Sequence, residues 1–258
     1  MKALQRWGAT LSLVGSTLIA TWFGQNLKVL ALPTDQVVQK LRPIPVFTIA
    51  DEQGQPLVVT VPANNAESEG EAAQEKAQIV SIFISQQDAQ QFVERLQSEN
   101  TELGSQVTVG YMSLGDVYRL AQGEAKEQGI FFEFVPMQEE VTEARTLLSQ
   151  NGQEYSGGVP LFVARGGEQG YLVAEQNNQQ VIPFFFEKEQ LQQNIENLKQ
   201  QQPDLASTVT IEVVTLEGVL STLQEKDDEF LNKIVLMPSE ESIEFRRSQS
   251  QPQPEQPN

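Results

Sequence analysis

Sliding the chain along itself by 102 positions brings Ile79–Val141 onto Val181–Ile243 without a gap, and 15 of the 63 columns are identical. Phe83 falls on Phe185, Gln90-Gln91 on Gln192-Gln193, Leu96 on Leu198, Val107-Thr108-Val109 on Val209-Thr210-Ile211, Leu114 on Leu216 and Pro136 on Pro238. A match without gaps keeps elements and connections at one length in both copies, so any fold must use the same supersecondary unit twice. Upstream the register moves by 13 or 14, where Ile44-Pro45-Val46-Phe47 resembles Val159-Pro160-Leu161-Phe162 and Gln53-Gly54 resembles Gln169-Gly170. The difference is an insertion in the first copy, Ala63 to Gln78. Its Asn, Ala, Ser and Glu carry no apolar period, which predicts a mobile surface loop.

Periodicity assigns the elements of each copy. In the second copy, Pro160 to Ala164 is an apolar strand, Gly166 to Gly170 a hairpin turn, Tyr171 to Ala174 the returning strand and Val181 to Phe186 a third. Leu191, Ile195 and Leu198 form one stripe of a helix over Glu187 to Gln202, ended by Pro203. Strand 208–214, helix 216–223 and strand 234–237 follow. The first copy repeats this order at 45–49, 57–61, 79–84, 86–100, 106–111, 114–122 and 131–135, and an added helix, Glu139 to Gln150, joins the copies.

The expected class is α+β: an internally duplicated βββαβαβ unit, two-lobed and with pseudo-twofold symmetry. The expected division is a signal peptide over 1–31, a first repeat half over 32–150, a second over 151–247 and a disordered tail over 248–258. Disorder is expected from Arg246 on, in a stretch of Gln, Pro and Ser. Gly157-Gly158-Val159-Pro160 with Gly170 is similar to the proline-to-strand hairpin of thioredoxin-like folds, which stays open as the alternative architecture.

Lys2 and Arg6 precede the mostly apolar Leu11 to Phe23, and Val29-Leu30-Ala31 suits a cleavage site, so the start reads as an export signal removed after Ala31. An uncleaved anchor is the alternative, because Trp22, Phe23 and Leu27 to Leu32 prolong the apolar character. The whole chain carries 17 basic and 35 acidic side chains; without Lys2, Arg6 and Lys28 the balance is 14 against 35, or −21. So negative a surface repels nucleic-acid phosphates and anionic lipid headgroups, and it favours basic partners or simply keeps an exported protein soluble.

There is no Cys and no His. That removes Ser-His-Asp and Cys-His nucleophiles, thiol redox chemistry, disulfides and the usual zinc sites. Glu139-Glu140, Asp227-Asp228-Glu229 and Glu240-Glu241 could supply paired carboxylates or oxygen ligands. They fall at helix beginnings, where acids oppose the helix dipole. No catalytic residue, metal site or cofactor is assigned.

Leu41-Arg42-Pro43-Ile44-Pro45-Val46-Phe47, Gly158-Val159-Pro160-Leu161-Phe162-Val163, Val181-Ile182-Pro183-Phe184-Phe185-Phe186-Glu187 and Pro238-Ser239-Glu240-Glu241-Ser242-Ile243 together resemble the Tic twenty-two family. The likeness spans roughly Thr34 to Arg247. It implies a non-enzymatic, chaperone-like protein-transport factor with apolar grooves. Its expected partners are unfolded or precursor proteins, with outer-membrane assembly or translocon proteins as further candidates. The implied place is the periplasm or thylakoid lumen, or the intermembrane space of a plastid. A carboxylate-only enzyme and a fixed scaffold subunit of a membrane translocation complex stay open as alternatives.

The candidate groove residues are Phe131 and Phe134 in one copy and Phe184 and Phe186 in the other, joined by Tyr111, Leu114 and Leu216. Phe184 and Phe186 share one strand face while Phe185 takes the other. If both faces are covered, every one of these rings is core instead.

Overall fold

The computed structural model describes residues 11–12, 32–62, 76–166, 170–225 and 229–249. The expected export signal lies outside them except for Leu11–Ser12, as do 63–75 of the expected insertion loop, 167–169 of the hairpin turn, and the tail from 250. The chain divides into two compact units, a first built from Thr34–Met137 and Pro238–Asn258 and a second from Met1–Pro33 and Gln138–Met237. The expected division at 150/151 follows the chain. The units follow contacts, and they divide at 137/138 and 237/238.

In the first unit, helix α1 (Thr34–Leu41) buries Val37, Val38 and Leu41 and packs on α4 (Leu114–Gln122). A Cβ at Gly115 would lie 2.5 Å from the Val38 carbonyl oxygen, so only glycine permits this approach. The sheet contains β2 (Pro45–Asp51), β3 (Val59–Pro62), β4 (Lys76–Phe83), β5 (Val107–Ser113) and β6 (Ile130–Val135). Strand β4 takes β6 in parallel on one side. On its other side run β3, beside its start, and β2, beside its end, both antiparallel. Strand β2 in turn carries β5, and among the described residues β3, β5 and β6 each pair with a strand on one side only. Helix α2 (Gln86–Glu99), capped by the Ser85 hydroxyl accepting from Asp88 N–H at 3.0 Å, packs its Ala89 and Val93 over Phe47, Ile49 and Phe83. Short helices α3 (Thr101–Gly104) and α5 (Glu124–Glu127) lead into β5 and β6.

The second unit has β7 (Pro160–Gly166), β8 (Val173–Gln176), β9 (Gln179–Phe185), β10 (Val209–Thr215) and β11 (Ile234–Met237), with β1 (Leu11–Ser12) beside β8. Strand β9 holds β11 in parallel on one side and, on the other, β8 at its start and β7 at its end. That second ladder is interrupted between Val181 and Phe185, where Pro183 has no N–H to donate. Helix α6 (Gln138–Gln150) and helix α7 (Lys188–Gln201) supply Ala144, Leu191 and Leu198 to a core with Phe162, Ala164 and Phe185. Helices α8 (Pro203–Ala206), α9 (Leu216–Glu225) and α10 (Glu229–Lys233) complete the described part of the unit.

Several corresponding elements begin at one shared separation. Helices α2 and α7, α3 and α8, strands β5 and β10, and helices α4 and α9 start 102 positions apart. Helix α6 and the last helix, α11 (Glu240–Gln249), keep the same 102, and β2 and β7 start 115 apart.

Three expectations are corrected. Lys76–Gln78 are the start of β4, not the end of a loop, because their pairing with β3 satisfies the backbone. Arg246–Gln249 are helical, not disordered. The Ser239 hydroxyl caps α11 by accepting from Ser242 N–H at 3.1 Å, Glu240 and Glu241 sit in the first turn, and Arg246 and Arg247 sit in the last. Helix α6 is not an added linker without a counterpart, since α11 stands in its place 102 residues on.

The long helix of each unit receives a carboxylate at its N-terminus from the helix that follows the other repeat copy. Glu241 of α11 accepts from Gln87 N–H at 2.7 Å, and Glu140 of α6 accepts from Lys188 N–H at 3.1 Å. Burial pushes the Glu140 carboxyl up from 4.5 to about 7, opposed by the Lys188 backbone bond and aided by the charges of Glu187, Glu143 and Glu139. A raised acid pKa means that the folded chain holds a proton the unfolded chain has lost, so this group's contribution to stability falls as pH rises from about 4.5 to about 7. Glu140→Gln keeps an acceptor but cannot ionise. Its melting temperature is expected to drop less than the wild type's between about pH 5 and about pH 8; parallel pH profiles for the two proteins would refute the assignment.

Candidate functional site

Phe184 is 3% exposed and Phe186 1%, while Leu114 and Leu216 are fully buried at 0%. These four belong to the covered alternative: a side chain sealed from water cannot meet a passing polypeptide without the fold opening, so they are withdrawn from the groove. Phe134 is half-buried. Tyr111 and Phe131 are exposed at 59% and 60%, and both lie on the edge strands of the first unit. Tyr111 meets Phe245 edge-on, with ring centres 4.8 Å apart, and Phe245 meets Phe47 at 5.1 Å, so α11 shields part of this edge.

The other edge is open among the described residues. Val59 pairs directly with Ile79, and Ile79 directly with Phe131, so the three side chains stand in one row across β3, β4 and β6. On β4 the row lies four residues before Phe83, hence on the face that α2 covers further along. Where the helix cover ends, Val59 is 49% exposed, Ile79 half-buried and Phe131 more than half exposed. Val58, the residue before β3, is also exposed.

Sequence reasoning missed Val59 and Ile79, although one signal was available. The repeat places Lys233 opposite Phe131, and a position that accepts lysine in one copy leaves a side chain's end within reach of water. In the second unit the counterparts of Val59 and Ile79, Ala174 and Val181, are buried. Phe230 of α10 lies 5.4 Å, ring to ring, from Tyr171, which in turn lies 6.0 Å from Phe184. The open apolar row therefore belongs to the first unit alone among the described residues.

The polar features are accounted for locally. A recess of about 510 Å³ is lined by Gln86, Gln87, Gln90, Gln91, Glu94 and Glu241, so it is an amide and carboxylate surface rather than an apolar groove. Glu139, Glu140, Glu240 and Glu241 occupy first helical turns, as expected for dipole-opposing acids. Among the described residues, no group of three or more acids is placed to hold a metal ion, and no helix is long and apolar enough to cross a membrane.

The site and fold define an α+β protein of two sheet-and-helix units, with an exposed apolar row on one of them. Residues 1–248 match the profile of the Tic22-like family, and the chain belongs to that family. It is 24% identical over 193 residues to Protein TIC 22, chloroplastic, from Pisum sativum, covering 75% of this chain and 68% of that one. A solved structure described as Anabaena Tic22 (protein transport) superposes with a TM-score of 0.71 at 32% identity, over 86% of this chain and 99% of that chain. Tic22 from Plasmodium falciparum superposes with a TM-score of 0.63 at 19% identity, over 83% of this chain and 96% of that one, a likeness of fold.

Proposed function

We propose that this chain is a protein-transport component that binds unfolded or precursor polypeptides without converting them, on the open apolar row of its first unit. The observation that carries the reading is the Val59, Ile79 and Phe131 row, uncovered in a family whose Anabaena member is described by protein transport. An exposed phenylalanine flanked by apolar neighbours costs solubility unless it serves contact. The surplus of 35 acidic over 17 basic side chains draws in basic segments and keeps the bound state soluble.

In the same reading the chain is exported, its first 31 residues act as a removable signal, and it works in a periplasm, thylakoid lumen or plastid intermembrane space. An internal duplication with pseudo-twofold symmetry is its architecture, supported by the 102-residue separation that five pairs of element starts share. Of the seven candidates only Phe131 stands in the row: Tyr111 lies on the opposite edge strand, Phe134 on the other face of β6, and the remaining four are buried.

The test is suppression of aggregation of an unfolded client by the purified protein, without ATP. Phe131→Ser is expected to abolish most of the protection while leaving stability within about 0.5 kcal/mol of wild type, as for a surface substitution. Full protection by Phe131→Ser and by Val59→Ser would rule out the row as the binding surface.

A further inference from the structure

We infer that strand β6 is a docking edge for an extended polypeptide, which adds to the first unit's sheet as a further strand; this rests on the client-binding reading and specifies its geometry. The carbonyl of Val135 accepts from Ile84 N–H at 3.1 Å, so Val135 turns its backbone groups toward β4. Along a strand these groups alternate sides, so Glu133 and Phe131 also turn inward, while Phe134, Phe132 and Ile130 present N–H and C=O outward. Among the described residues no strand pairs with that outer side.

An edge of six residues with this composition, Ile-Phe-Phe-Glu-Phe-Val, is a template for another strand unless it is blunted. It has no proline and no lysine, and its one charge, Glu133, is acidic and exposed. The second unit treats its corresponding edge differently. Strand β11 has four residues, and Lys233 stands where Phe131 stands in the first. The occupant is identified by chemistry. Outward backbone groups require an extended backbone, and Phe131 with its row requires apolar side chains at alternate positions. The local charges are Glu124, Glu127 and Glu133 against Lys126, which favours basic residues between them.

The probe is a synthetic peptide of alternating Leu and Lys, in unmodified form and with its sheet-pairing amides N-methylated. Methylation removes the donors an added strand needs and leaves the apolar and charged side chains in place. The expected result is binding weakened at least about tenfold by N-methylation, together with slowed amide exchange at Phe132 and Phe134 but not at Phe131 or Glu133, which already face β4. Equal affinity for the two peptides, with no added protection, overturns the edge geometry and keeps the client-binding reading. Binding of neither peptide, together with loss of aggregation suppression, overturns both. If the Phe132 and Phe134 amides are already protected without peptide, the edge belongs to a second copy or to another segment of this chain, and the inference fails.

Discussion

Replacing Phe186 with Ser is expected to lower stability by about 3–5 kcal/mol, the range for removing a large buried ring from a packed core, with the serine hydroxyl adding a desolvation cost. Phe186 is 1% exposed and follows β9, where its backbone N–H donates to the Met237 carbonyl. Phe184→Ser, at 3% exposure, belongs to the same class. Denaturant titration separates this from a binding defect. A midpoint that falls with an unchanged slope places the loss in the folded state. If Phe186→Ser kept wild-type stability and lost client protection, the ring would have to be accessible, and the covered assignment would be wrong.

The second large effect concerns α11. Ending the chain at Met237 removes Phe245 from Phe47 and Tyr111, the Glu241 carboxylate from the α2 N-terminus, and the Arg246 guanidinium from the Pro43 carbonyl at 3.0 Å. Loss of a half-buried ring plus one charge-assisted cap sums to about 3–5 kcal/mol. The effect should be confined to the first unit. Amide exchange at Phe47, Ile49 and Val109 would accelerate, while Phe162 and Val163 keep their protection. A peptide spanning Pro238–Gln249, added to the shortened chain, should restore protection in a concentration-dependent way. Uniform loss across both units would show that α11 is not a local part of the first.

How much was legible follows the range of the forces. The elements inside the repeat could be read because Leu191, Ile195 and Leu198, or Phe83 and its partner Phe185, carry their own period, and local stripes set local structure. Helix α11 escaped because its sequence, Glu-Glu-Ser-Ile-Glu-Phe-Arg-Arg-Ser-Gln, is poor in apolar residues. What holds it is Phe245 against a ring 198 positions earlier and a cap 154 residues away from its donor. The same limit applied to the site. Alternation told which phenylalanines share a face, yet whether a face is covered depends on elements elsewhere in the chain, and it left Phe184 and Phe131 looking alike. The insertion's end was misplaced for a related reason, since Lys76-Ala77-Gln78 gain their strand from pairing with Pro62, Val61 and Thr60 rather than from any apolar content.

The interrupted course of the first unit has a consequence for how the molecule is made. Residues 34–137 leave the ribosome ahead of all the other described strands and helices except Leu11–Ser12, but the aromatic seat at Phe47 and Tyr111 stays vacant until the last helix, ending at Gln249, has emerged. The stretch 138–237, by contrast, has its described helices in one run. The part begun earlier is thus completed later, and any machinery that delivers this chain amino end first must shield a half-built sheet for the time it takes to supply some hundred further residues.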